Sequence, residues 1–146
     1  MSVFHILEAK ERAGAPSEVV SVETGSSVAD AVALMSKHRI GAVLVRDGES
    51  IAGILSERDL VHLIARDGAE ALGLDVAEAM TKDLVTCTRT DTIDHAMSVM
   101  TEGRFRHLPV MQDGRLIGMI SIGDVVKRKI EDAEHEVENL KGYIAS

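Results

Sequence analysis

Aromatic side chains make up 2% of this 146-residue chain, and tryptophan is missing altogether. Its core must therefore be built from Val, Ile, Leu, Met and Ala. The single cysteine, Cys87, rules out an intramolecular disulfide and suits a reducing compartment. No apolar run approaches the length of a membrane span. Glu8, Lys10, Glu11 and Arg12 break up any secretion-signal pattern near the N-terminus, so a cytoplasmic protein is expected. Basic residues are scarce: 16 Lys and Arg stand against 24 Asp and Glu, a formal charge of −8. That balance excludes a general nucleic-acid binder, which needs a basic surface, but leaves room for a local pocket for one small anion. The six histidines show no metal-ligand spacing with acids or with Cys87. No Walker loop, dinucleotide glycine fingerprint or serine elbow is present. The expectation is no metal, no catalytic residue and no enzyme.

What is there is a duplication. Val19–Val61 aligns with Leu84–Val126 at an offset of 65 residues without a gap, and nine of 43 positions are identical. Composition alone would give roughly three. The identities are Val20/Val85, Ala31/Ala96, Met35/Met100, Arg39/Arg104, Val45/Val110, Gly53/Gly118, Ser56/Ser121, Asp59/Asp124 and Val61/Val126. Two copies of about 60 residues, each marginal alone, are expected to fold together about a pseudo-twofold axis. Such packing makes a cleft for a small ligand.

Each copy reads β-α-β-β-α. A short strand (Val19–Val22; Leu84–Cys87) leads to a polar turn with Ser26 or Ser27, and Asp91 or Thr92, as helix N-caps. Apolar residues then recur at helical spacing from Val28 and from Ile93. Two strands follow, Ile40–Val45 with Ile51–Leu55 and Leu108–Met111 with Leu116–Ile120, turning at Asp47-Gly48 and Asp113-Gly114. A last helix starts near Glu57 or Ile122. Val3–Leu7 resembles Val76–Met80 as a lead-in, with Glu8–Glu18 expected to be an exposed loop and Arg66–Asp75 a connection. The expected segments are 1–18 lead-in, 19–66 first repeat, 67–82 linker and lead-in, 83–130 second repeat and 131–146 helical tail.

In the tail, Val126, Ile130, Ala133, Val137, Leu140 and Ile144 are spaced 4, 3, 4, 3, 4, a heptad seam on a helix about 30 Å long. The stripe packs either back on its own chain or on a partner subunit. Gly142 is expected to mark where the regular helix ends or frays.

The chemistry-bearing motif ends each hairpin: Gly53-Ile54-Leu55-Ser56-Glu57-Arg58-Asp59 and Gly118-Met119-Ile120-Ser121-Ile122-Gly123-Asp124. The apolar pair closes a buried strand. The serine opens a helix, where free N–H groups and the dipole favour an anion. The aspartate three residues on accepts hydrogen bonds only, as vicinal sugar hydroxyls require. Hydroxyl by phosphate and carboxylate by sugar describe a nucleotide. The same pattern also makes a capping box, and the two readings are compatible. Arg39, Arg58, Arg104, Arg106 and His107 gather near the hairpins of an acidic chain. They are either surface ion-pair partners or a phosphate clamp, with His107 equally readable as a satisfied strand histidine.

With the repeat, the Met80-Thr81 lead-in, Arg106-His107-Leu108-Pro109-Val110 and the two Gly-apolar-apolar-Ser-x-x-Asp motifs, residues 1–130 resemble a tandem pair of cystathionine β-synthase (CBS) domains. The resemblance implies an α+β fold with the two repeats packed sheet to sheet. It implies a regulatory module for AMP, ADP or ATP, with NAD(H) as second choice and S-adenosylmethionine in some members. It places ribose on Asp59 and Asp124, phosphate on Ser56, Arg58, Ser121, Arg104, Arg106 and His107, and adenine on Val20, Val22, Leu55, Val85, Thr86, Cys87 and Ile120. It also implies a homodimer with four repeats in a disc, and a regulated partner protein. The alternative is a ligand-free scaffold that dimerises and presents the tail to an enzyme or transporter.

Overall fold

The computed structural model describes residues 1–14 and 19–145, the side chains of 143–145 excepted. The chain divides into two compact units. One is residues 18–85; the other joins residues 1–17 to 86–146. Pro16, expected in the first loop, lies outside the described residues.

In the first unit, β1 (Ser21–Glu23) leads to α2 (Val28–His38), the hairpin β2 (Ala42–Asp47) and β3 (Ser50–Ser56), and α3 (Glu57–Asp67). A 3-10 turn over Gly68–Gly73 and the one-turn helix α4 (Val76–Ala79) follow. β1 runs parallel to β2 and β2 antiparallel to β3, so β2 is the central strand. Its Ala42, Val43, Leu44 and Val45 are all buried, the continuous apolar run of a strand covered on both faces. Val28, Ala31 and Met35 of α2 and Leu60 and Leu63 of α3 close the core over it. The expected Arg66–Asp75 connection is thus ordered turn rather than bare link, anchored by Ala71, which is fully buried.

The second unit repeats the plan with α5 (Ile93–Gly103), β4 (His107–Gln112), β5 (Arg115–Ser121) and α6 (Ile122–Ala145). Ser27 and Thr92 are the caps of α2 and α5, accepting from the N–H of Asp30 and His95 at 3.1 and 3.0 Å. Both hairpins shift register at the equivalent step, Val45/Arg46 and Val110/Met111. Their turns differ. The second is Asp113-Gly114, with φ of 51° and 76°, the pattern of a type I′ turn. The first pairs Asp47 with Ser50, so its central residues are Gly48 and Glu49 rather than Asp47-Gly48, with positive φ at Gly48 alone.

Three other expectations are corrected. Residues 84–87 do not form a strand; their pairing is a single parallel bridge, Cys87 to Val110. Glu8–Arg12 is not loop, because the helix α1 (Val3–Arg12) runs through it. The tail is not a separate element: α6 continues the last helix of the second repeat without a break and passes through Gly142. A helix-interior glycine costs about 1 kcal/mol against alanine but does not by itself stop a helix.

The lead-ins are exchanged. α1 belongs to the unit of the second repeat and α4 to that of the first. The exchange follows one pattern. Val28 N–H donates to Leu74 O and Val76 N–H to Ser26 O; Ile93 N–H donates to Met1 O and Val3 N–H to Asp91 O. The side chains of Met80 and Leu7 then lie on Gly53 and Gly118, where an added Cβ would come within 2.7 Å of Met80 Sδ and 2.6 Å of Leu7 Cδ2. The glycines of the two motifs are therefore sites of close approach by the lead-ins.

Candidate functional site

Each hairpin delivers its serine and aspartate to the start of a helix. In the first unit Ser56 Oγ accepts from Asp59 N–H at 3.2 Å, while Asp59 Oδ2 accepts from Ser56 N–H at 2.9 Å and Ser56 Oγ at 3.0 Å. In the second, Ser121 Oγ accepts from Asp124 N–H at 3.1 Å and Asp124 Oδ2 from Ser121 N–H at 2.9 Å. Both motifs are capping boxes, so that reading holds at both junctions. Ser56, Asp59, Ser121 and Asp124 are all half-buried, and each retains solvent access.

The lead-ins complete the two sites by different chemistry. In the first, Thr81 pairs with the edge of β3: its N–H donates to Ile54 O at 2.8 Å and its Oγ1 to Asp59 Oδ1 at 3.2 Å. In the second, Lys10 at the end of α1 does both tasks with one ammonium group. Lys10 Nζ donates to Met119 O at 2.9 Å and to Asp124 Oδ2 at 3.0 Å. Met119 is the counterpart of Ile54 at the 65-residue offset. One carboxylate thus faces a neutral hydroxyl and the other a cation. Sequence reading did not pick out Lys10, and took Thr81 only as a family mark. The likeness of Val3–Leu7 to Val76–Met80 is the signal that placed both lead-ins at these junctions.

The basic residues expected to hold phosphate divide unequally. His107 opens β4 directly opposite Ser121, and Arg106 O accepts from Ile122 N–H at 2.8 Å. Arg106, His107 and Ser121 therefore share one end of the second hairpin. At the same place the first unit has Gly41, Ala42 and Ser56, with Ala42 opposite Ser56. Arg58 lies in the exposed first turn of α3. Arg104 caps α5 in the left-handed conformation, φ 58°, as Arg39 caps α2 at φ 55°. In both caps the next N–H returns to the carbonyl five residues back, Ile40 to Met35 and Phe105 to Met100.

The residues expected as an adenine wall fall into two groups. Val22, Leu55, Cys87 and Ile120 are buried in the cores of their units. Val20 is half-buried, and Val85 and Thr86 are exposed. Burial, and then the nearby Asp91 charge, push the Cys87 thiol up to about 12, the direction opposite to that of a nucleophile. Among the described residues there is no cluster of three or more His, Cys, Asp or Glu side chains that could hold a metal ion. No helix among them is long and apolar enough to cross a membrane.

The CBS domain family matches this chain twice, over residues 16–66 and 76–131. The mitochondrial CBS domain-containing protein CBSX3 of Arabidopsis thaliana is 40% identical over 126 residues, covering 83% of this chain and 61% of its own length. A crystal structure of a CBS-domain containing protein from Agrobacterium tumefaciens is 44% identical, with a TM-score of 0.80 over 88% of this chain and 98% of that one. The crystal structure of CBSX2 in complex with AMP is 26% identical, with a TM-score of 0.67 over 80% of this chain and 90% of that one. The α-β-β-α plan common to both units and the twin matches agree: the chain belongs to the CBS domain family and carries two such domains in tandem.

Proposed function

We propose that this chain is a regulatory module that binds an adenine nucleotide, with AMP the first candidate and NAD(H) the second. The carrying observation is the serine–aspartate pair at the same strand-to-helix junction in both units, each half-buried and each facing a polar group from an exchanged lead-in. A ribose hydroxyl takes the position on Asp59 that Thr81 Oγ1 occupies. At Asp124 the ribose meets a carboxylate already paired with Lys10, and the ammonium is placed to turn toward a phosphate. Arg106 and His107 beside Ser121 give the second site more positive charge than the first, so the two sites differ in preference. AMP bound to the related CBSX2 supports the choice of ligand. Phosphate contacts extend to Ser56, Arg58, Ser121 and Arg104, and adenine lies near Val20, Val85 and Thr86.

The module signals to a regulated partner by changing its own shape, not by catalysis. It also pairs with a second copy. The identical positions Val61 and Val126 are exposed in both units, at 66% and 46%, and offer apolar surface for a second copy to cover.

A second reading, a scaffold without ligand, has its own support: both aspartates already spend Oδ2 on the capping box. Calorimetric titration of nucleotide-free protein separates the two. The proposal expects saturable heat with AMP, lost at one site in Asp59→Ala and at the other in Asp124→Ala. No heat with AMP, ADP, ATP or NAD(H) leaves the scaffold.

A further inference from the structure

The seam on α6 is bare. Val126, Ile130, Val137 and Leu140 are 46%, 54%, 49% and 62% exposed, and Ala133 between them is exposed too. One flank of the helix root, next to the seam, is fixed to its own unit. Val125 is fully buried, Ile122 is half-buried, and Lys129 forms an ion pair with Asp94 of α5. The helix therefore leaves the unit with its direction set and its first turns already nucleated, which removes the usual cost of starting a short helix.

We propose that α6 pairs with α6 of a second copy as a parallel, in-register two-stranded coiled coil. In heptad terms Ile130 and Val137 take the a positions, and Val126, Ala133 and Leu140 the d positions. β-Branched Ile130 and Val137 at a, with Leu140 at the last d position, match the pattern that favours two strands. Charge then chooses the orientation. The e positions are Lys127, Glu134 and Lys141, and the g positions Lys129 and Glu136. In a parallel pair each g residue meets the next e residue across the seam. Lys129 meets Glu134 of the partner subunit, Glu136 meets Lys141 of the partner subunit, and symmetry repeats both contacts. Every flanking pair is opposite in charge.

An antiparallel pair that sets Ile130 against Leu140 faces Glu134 with Glu134, Glu136 with Glu136 and Lys127 with Lys141, all alike in sign. Sliding it by a heptad restores opposite charges but drops either Leu140 or both Val126 and Ile130 from the seam. Only the parallel register keeps the whole stripe and all the attractions. This inference rests on the second-copy reading above, to which it adds the surface and the orientation. It is independent of nucleotide binding.

The test is disulfide trapping in the full chain. Leu140→Cys places a thiol at a d position, where two parallel helices bring Cα atoms within disulfide reach. Native Cys87 is buried and stays out of the reaction. Mild oxidation with oxidised glutathione is expected to give a covalent dimer. Adding Glu134→Lys and Glu136→Lys makes every flanking pair repulsive and lowers the yield about tenfold. Mixing that protein with one carrying Leu140→Cys, Lys129→Glu and Lys141→Glu restores the yield, now as a mixed dimer. Three results overturn the proposal: no covalent dimer, a yield indifferent to the charge changes, or preferential cross-linking of Ile130→Cys to Leu140→Cys in a mixture. Sedimentation of the unaltered protein separates the two levels. A dimer that gives no Leu140→Cys trap means the second copy docks elsewhere, and a monomer removes both readings.

Discussion

Lys10 does with one ammonium what Thr81 does with a main-chain N–H and a hydroxyl, and the substitution shows how far from its motif a residue of the candidate site can lie. Lys10 stands 114 residues from Asp124, and Thr81 stands 22 from Asp59. No local pattern connects either pair; only the exchange of lead-ins does. The energetic weight of these contacts is modest. The Lys10–Asp124 pair is 37% and 23% exposed at its two side chains, so solvent screens it. Lys10→Met is expected to cost less than about 1 kcal/mol in urea unfolding. Ser121→Ala, which removes the acceptor for Asp124 N–H, is expected to cost about 1 kcal/mol. A larger loss from Lys10→Met than from Ser121→Ala would mean that the lysine, not the cap, organises this junction.

The left-handed arginines belong to the scale of the helix. Arg39 and Arg104 end α2 and α5 at φ of 55° and 58°, where glycine is the usual occupant. A side chain there costs about 1 kcal/mol, and both copies bear that cost. Arg39→Gly is expected to raise the unfolding free energy by about 0.5–1 kcal/mol, measured by urea denaturation. If arginine at this position serves phosphate, the same change weakens AMP binding at the first site while the protein grows more stable.

Proline explains the missing strand. Pro109 occupies the place of Leu44, whose N–H donates to Val20 O at 3.2 Å. Proline has no N–H, so the equivalent bond to Val85 cannot form. Pairing in the second unit shrinks to the Cys87 N–H bond to Pro109 O and the Met111 N–H bond to Cys87 O, and Val85 is left 44% exposed. Pro109→Ala restores the donor, and hydrogen exchange is expected to show a newly protected amide at residue 109. Most elements were legible in the sequence because apolar periodicity sets them: both hairpins, α2, α5 and the starts of α3 and α6. The strand at 84–87 was misread because its own pattern matches 19–22, while the fault lies in its neighbour. The side chains expected against adenine show the same limit of a local pattern. Alternation marks Leu55 and Ile120 as inward, yet inward here means the unit's own core.

For the molecule as a whole, the consequence is that the two units differ in how the chain builds them. The first is continuous, residues 18–85; the second needs residues 1–17 and 86–146. Val3 and Ile6 of α1 are core residues of that second unit, at 0% and 3% exposure, beside Ile93, Met100, Leu108 and Ile120. Truncating one of them therefore opens a cavity far along the sequence from the change. Ile6→Ala is expected to cost roughly 2–4 kcal/mol, the range for deleting a buried aliphatic side chain. Hydrogen exchange gives the location: protection should fall across α5, β4 and β5, while β1, β2 and α2 keep theirs. Loss spread evenly over both units would instead mean that they unfold as one cooperative body, and loss confined to residues 19–80 would contradict the exchange of lead-ins. The result also bears on function, because α1 carries Lys10. A change that loosens α1 is expected to weaken the Asp124 site before the Asp59 site, and titration of Ile6→Ala with AMP reads that order directly.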